Sequence, residues 1–274
     1  MAETSGALRI AASSYLNTAP LIWSFLRGTR RRDVSLLTDA APARCADMLA
    51  RGVADVALVP VIEYQRMPEV EVLAGVCVGA RRAVRSVVLV TRGMELEDVQ
   101  TVALDVSSRT SAALVEVIFR EFLRRAPQFS KGTPDPAWML ETHDAALVIG
   151  DPAMTFARDG LRVYDLASVW RERTGLGFVF AMWMAQGEAR ERVRAIDFAS
   201  ARDEGLAHAE EIAAEYALKL GKEPAELLAY LRENICFELD AEMRDGLELF
   251  YRLAHRHGII ETARPLRLHG STVA

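Results

Sequence analysis

Positive charge is the first thing this 274-residue chain is short of: 33 Lys and Arg stand against 38 Asp and Glu, a net charge of −5. No global positive field exists to gather phosphate backbones, so nucleic acid is not an expected partner. No uninterrupted apolar run approaches the roughly 18 residues of a membrane span. The first ten residues, with Glu3, Ser5 and Gly6, lack the basic-then-apolar order of a secretion signal. The expectation is a cytoplasmic protein with no membrane partner, a monomer or a homodimer. Cysteine is scarce as well. Cys45, Cys77 and Cys236 are odd in number and widely spaced, which argues against a disulfide framework and against zinc, and predicts buried thiols. The five histidines show no metal-ligand partnership, so no metal site is expected. No Walker loop, no Gly-x-Gly-x-x-Gly after a strand and no Gly-x-Ser-x-Gly elbow occurs, which sets aside kinase, Rossmann dehydrogenase and serine hydrolase.

What is present is a core-forming chain, 51% hydrophobic and only 7% aromatic. From Leu8 to Asp165, short apolar runs alternate with amphipathic stretches, the form of βα units around mainly parallel sheets. The pattern predicts strands at Leu8–Ala12, Val34–Leu37, Val56–Val59, Ser86–Val90, Val102–Leu104 and Ala145–Ile149. It predicts helices at Ala43–Arg51, ending at Gly52, and at Thr110–Arg125, ending before Pro127. Two segments echo one another. Ser13-Ser14 follows the first strand as Ser107-Ser108 follows a later one, and Asp55-Val-Ala-Leu-Val59 recurs as Asp144-Ala-Ala-Leu-Val148. Together, in the same order, these echoes predict two lobes of like construction. The crossings are expected near Leu89–Gly93 and Phe178–Met184, giving one lobe of residues 1–90 plus 184–274 and a second of 91–183. Beyond Met184, charged helices punctuated by Gly205, Gly221 and Gly246 read as a helical cover.

An anion would have to be held locally. Ser14, Tyr15, Asn17 and Thr18 lie where the first strand passes into a helix, with Thr18 a candidate N-cap and Asn17 a two-way hydrogen-bonding amide. Asp105-Val-Ser107-Ser108-Arg109-Thr110-Ser111 repeats that logic with more hydroxyls than one helix cap requires. Ser86 opens an apolar strand, and Gly150-Asp151 ends another before Pro152, with Asp151 read first as an N-cap. Glu63 is ambiguous between surface and cleft.

The strings Ser14-Tyr-Leu-Asn-Thr-Ala-Pro-Leu21, Asp55-Val-Ala-Leu-Val-Pro60 with Glu63-Tyr64, Val84-Arg-Ser-Val-Val-Leu89, Ser107-Ser-Arg-Thr-Ser111, Asp144-Ala-Ala-Leu-Val-Ile-Gly-Asp151 and Thr174-Gly-Leu-Gly-Phe-Val-Phe-Ala181 resemble the chorismate dehydratases of the futalosine route to menaquinone. They run in family order from near residue 8 to near residue 185. Gly177 stands where that family often has Pro, and Ala11-Ala12 replaces a more usual Gly. The resemblance implies a two-lobed, type 2 periplasmic-binding-protein-like α/β fold with the ligand cleft between the lobes. It implies a cofactor-free lyase that removes water from chorismate to give 3-[(1-carboxyvinyl)oxy]benzoate. Asn17 and Ser86 would then be the catalytic residues. Ser14, Tyr15, Thr18, Ser107, Ser108, Arg109, Thr110, Ser111, Gly150 and Asp151 would bind substrate. The alternatives are a small-anion-binding protein on the same fold and the sister dihydroxynaphthoate-forming enzyme, which is expected to carry a His where this chain has Gly150-Asp151.

Overall fold

In the computed structural model, which describes residues 7–269, the strands sort into two sheets. The strands are β1 (Leu8–Ser13), β2 (Val34–Asp39), β3 (Val56–Pro60), β4 (Val70–Ala80), β5 (Val87–Thr91), β6 (Thr101–Asp105), β7 (Gln128–Gly132), β8 (Ala145–Ile149), β9 (Arg162–Asp165), β10 (Phe178–Gln186) and β11 (Leu268–His269). The first sheet has the order β11-β4-β10-β3-β1-β2 and the second β7-β6-β8-β5-β9. The strands β3, β5 and β8 are buried along their whole length, as expected of strands covered on both faces.

The expected parallel pairings are present, β1 with β2 and β3, and β6 with β7 and β8. The antiparallel partners are added by the strands that carry the chain across. In the second sheet β5 runs antiparallel to β8 and β9. In the first, β10 runs antiparallel to β3 and β4. Both crossings fall earlier than the sequence suggests, at 81–86 and at 175–177, because the apolar runs that follow them are themselves complete strands.

The repeated pentads have a shared purpose. Asp55 precedes β3 and its carboxylate accepts the backbone N–H of Arg9 on neighbouring β1. Asp144 precedes β8 and likewise accepts the N–H groups of Gln100 and Thr101 beside and on β6. In each lobe one aspartate satisfies the backbone at the same edge of the same parallel pair.

The predicted helix ends hold with two adjustments. Pro42–Ala50 ends just before Gly52, whose φ is +68°. Thr110–Val117 continues as a π-helical turn, Ile118–Leu123, and stops at Arg124 in the left-handed region. The cover packs by close approach. Gly205 and Gly246, expected to punctuate, lie inside the helices Phe198–Ala207 and Ala241–Arg256. A side chain on Gly205 would fall within 1.8 Å of the Pro20 carbonyl oxygen, so the cover seats directly on helix Ala19–Leu26. Among the described residues no helix is long and apolar enough to cross a membrane. Of the thiols, Cys45 and Cys77 are buried, whereas Cys236 is partly exposed.

Candidate active site

A cavity of about 520 Å³, counting its mouth, lies between the two sheets. The first lobe contributes the end of β1 and the turn after it, through Ser13, Tyr15, Asn17 and Thr18, with Leu58, Pro60, Val78, Phe180 and Ala181 from β3, β4 and β10. The second lobe contributes Val87, Ser108, Thr110, Ser111, Ile149 and Gly150. This is the C-terminal edge of the parallel strands, where ligands of such sheets collect. The apolar walls suit a flat ring, and all the side-chain polar groups of the lining are hydroxyls and one amide.

On the first-lobe side, Thr18 occupies the N-cap position without capping its helix. Its hydroxyl instead donates to Asn17 Oδ1 at 3.3 Å and pairs with Ser13 Oγ at 2.9 Å. Ser14, grouped with the cleft residues in the sequence, is exposed; its N–H donates to the Asp39 carbonyl at 2.9 Å and its carbonyl accepts from the Tyr216 hydroxyl at 2.8 Å. Ser86 is almost fully buried beside Val87. Its Oγ accepts from the Tyr230 hydroxyl at 2.7 Å and its carbonyl from Gly150 N–H at 2.7 Å.

On the second-lobe side, the serine-rich turn divides its labour. Ser108, Thr110 and Ser111 face the cavity. Ser107 is committed to its own turn: its N–H and hydroxyl both donate to Asp105 Oδ1, at 2.8 and 2.6 Å. Burial pushes the Asp105 carboxyl above its ordinary range while the Ser107 bonds pull it back. Arg109 does not line the cavity. Its guanidinium reaches across to the buried Glu63 at 2.9 Å and the partly exposed Asp47 at 2.6 Å, both in the first lobe, because those carboxylates flank the turn. Glu63 is thereby placed as a buried interlobe partner.

Gly150-Asp151 also spans the gap. Gly150 takes φ +67° and ψ −148° and lies against the ring of Tyr15. It, and not Asp151, occupies the N-cap position. Asp151 is the first residue of its helix and is outside the cavity lining; its Oδ1 accepts the Leu16 N–H at 2.9 Å from the other lobe. Burial raises its pKa to about 6. With Ile62 N–H donating to Thr110 Oγ1 at 3.2 Å and Ala43 N–H to the Ser107 carbonyl at 3.2 Å, these contacts hold the lobes closed.

The structure thus gathers Tyr15, Asn17, Thr18, Ser108, Thr110, Ser111 and Gly150 at the cavity, with Ser86 directly behind its wall. It assigns Ser107, Arg109 and Asp151 to the turn and the interlobe contacts. Sequence reasoning places Ser13 at the head of the segment after the first strand but does not name it among the site residues, although it lines the cavity. It also missed Tyr230, which comes from the distant helical cover and carries no local motif.

The family described as menaquinone biosynthesis matches residues 8–256. The chain is 31% identical over 257 residues to a chorismate dehydratase of Thermus thermophilus, covering 86% of this chain and 91% of that protein. Among solved structures it resembles the AF1704 protein of Archaeoglobus fulgidus, with a TM-score of 0.70 and 17% identity over 94% of this chain and 100% of that one. It also resembles the periplasmic aliphatic sulphonate binding protein SsuA of Escherichia coli, with a TM-score of 0.65 and 17% identity over 99% and 96% of the two chains. These last likenesses establish the periplasmic-binding-protein fold, and the match over residues 8–256 establishes the lineage: the chain belongs to the menaquinone-biosynthesis family.

Proposed function

We propose that this protein dehydrates chorismate to 3-[(1-carboxyvinyl)oxy]benzoate, as a cytoplasmic hydro-lyase that needs no metal or organic cofactor. The observation that carries the reading is the interlobe cavity, whose apolar walls and neutral polar lining fit a small ring in a chain related to a chorismate dehydratase.

The reaction is redox-neutral. A C–H bond breaks at the ring carbon bearing the enolpyruvyl ether, and its electron pair becomes the new ring double bond. The neighbouring C–O bond breaks, and hydroxide leaves with the proton as water. Aromaticity of the product supplies the driving force. In the transition state, negative charge spreads through the conjugated ring toward its carboxylate, so donors fixed in advance are what the protein must supply. Asn17 and Ser86 are assigned to the reacting edge, and the hydroxyls of Ser108, Thr110 and Ser111 to a carboxylate. Leu58, Val78, Val87 and Phe180 flank the ring and exclude water. Neither Asp105 nor Asp151 lines the cavity, which leaves the substrate's own enolpyruvyl carboxylate as the proton acceptor in this reading.

The test is incubation of the purified protein with chorismate in the presence and absence of a chelator, with product identified by mass and proton NMR. Formation of the aromatic ether at equal rates in both supports the proposal. Folded protein that binds chorismate and returns it unchanged would mark a binding protein and sink the enzymatic reading.

A further inference from the structure

Two short files of hydrogen bonds lie in and behind the cavity wall, and counting protons fixes their direction. Thr18 Oγ1 gives its proton to Asn17 Oδ1, so in the 2.9 Å pair of Ser13 and Thr18 hydroxyls Ser13 must be the donor. Tyr230 has one hydroxyl proton and gives it to Ser86 Oγ. One file therefore runs Ser13, Thr18, Asn17, and the other runs Tyr230, Ser86. Ser86 accepts at its end and is left with its own proton to give.

We propose that Tyr230 is the positioning residue of this site, its hydroxyl aligning the spare Ser86 proton on the reacting edge of the substrate. The inference rests on the chorismate reading above and deepens it. Three further features point the same way. Tyr230 opens a π-helical turn, Tyr230–Asn234, a rare geometry that re-aims side chains and recurs at functional sites. From the end of that turn Asn234 Nδ2 donates to the Ala83 carbonyl at 3.0 Å, so the cover grips the crossing segment at two points, one on each side of Arg85. Arg85, just before Ser86, is held at φ +63°, a left-handed conformation uncommon outside glycine. The Asp165 carboxylate fixes it there by accepting the N–H groups of Val84 at 3.1 Å and Arg85 at 2.6 Å. Strain retained next to a proposed catalytic hydroxyl, and held by a dedicated carboxylate, is what aiming that hydroxyl requires.

The experiment compares wild type, Tyr230→Phe, Ser86→Ala, the double variant and Tyr251→Phe for kcat, KM and melting temperature. Tyr230→Phe keeps the buried ring and removes only the hydroxyl. It is expected to lower kcat roughly 10- to 100-fold, the scale of a small misalignment of reacting groups, with KM little changed. The double variant should be no slower than Ser86→Ala alone, because both changes break the same file. Tyr251→Phe removes an equally buried hydroxyl, bonded to the Val61 carbonyl at 2.7 Å; it should lower the melting temperature and leave kcat alone. Should Tyr230→Phe fail to fold, Asn234→Ala releases the cover's other grip on the crossing segment, at the Ala83 carbonyl, and should lower kcat in the same sense. An active wild type with Tyr230→Phe or Asn234→Ala turning over equally fast, or with additive losses in the double variant, would overturn the role of Tyr230 alone. A wild type without turnover would overturn it together with the proposed activity.

Discussion

Replacing Gly150 with Ala probes the closed state at its tightest point. Two independent penalties apply. The backbone there has φ +67° and ψ −148°, a region essentially reserved for glycine, and holding another residue in such a conformation costs about 1–3 kcal/mol. The added Cβ would also fall 2.5, 2.6 and 2.7 Å from three atoms of the Tyr15 ring, and overpacking of that kind costs a further ~1–3 kcal/mol. A combined loss of about 4 kcal/mol lowers the melting temperature by roughly 8–16 °C for a chain of this size. The steric part can be separated from the backbone part. Tyr15→Ala removes the ring but leaves the dihedral penalty, so the double variant Tyr15→Ala/Gly150→Ala should melt higher than the sum of the two single effects predicts. Turnover of Gly150→Ala should also fall, because Gly150 N–H holds the carbonyl of Ser86. Calorimetry on the four proteins decides the matter. A Gly150→Ala variant that melts with the wild type, or strictly additive losses in the double variant, would refute the account of Tyr15 against Gly150 as the seam of the closed lobes.

The remaining predictions concern charge and thiols. The folded protein keeps the Asp151 proton up to about pH 6 against an ordinary value of 3.8, so the stability it contributes is complete below about pH 4 and lost as pH rises through 6. The isosteric Asp151→Asn, which keeps an acceptor for Leu16, should remove that slope between pH 4 and 6 in melting curves while retaining turnover; an unchanged slope would contradict it. Arg109→Ala severs the interlobe pairs to Glu63 and Asp47 but leaves Glu63 its partner Arg66. It should raise KM and increase the radius of gyration in solution scattering, whereas an unchanged scattering profile would remove Arg109 from the closure. The Cys236 thiol is lowered to about 6 by its hydrogen bond with Cys77 and by Arg81, while burial pushes Cys45 up to about 12. Iodoacetamide at neutral pH should therefore mark Cys236 first by peptide mass, and preferential labelling of Cys45 would reverse the assignment.

Periodicity was enough to find β1, β3, β6 and β8, because burial on both faces leaves continuous apolar runs, and the paired aspartates were visible because each lobe solves the same backbone problem at Asp55 and Asp144. The crossings were misplaced because β5 and β10 are as apolar as any core strand, and nothing local distinguishes a strand that enters from another lobe. At the site, hydroxyl-rich turns after β1 and β6 were legible as clusters, but their division of labour was not. Whether Arg109 faces a ligand or Glu63 depends on where helix Pro42–Ala50 and the segment after β3 sit, which is a matter of tertiary packing. Tyr230 was invisible for the same reason: its partner is 144 residues away at Ser86.

The position of β10 also bears on how the chain comes together during synthesis. It lies between β3 and β4 in the first sheet and pairs with both, so that sheet has a vacant central slot until the ribosome has passed Gln186. The second sheet is drawn from one unbroken stretch, Val87–Asp165, and has all its strands before β10 emerges. The inserted half can thus fold first, with the earlier strands waiting, their central edges open to any other extended chain until β10 arrives. Slow translation through 166–186 would lengthen that exposure, and a chaperone that recognises unpaired strand edges would find its target there in the nascent chain, not in the finished protein.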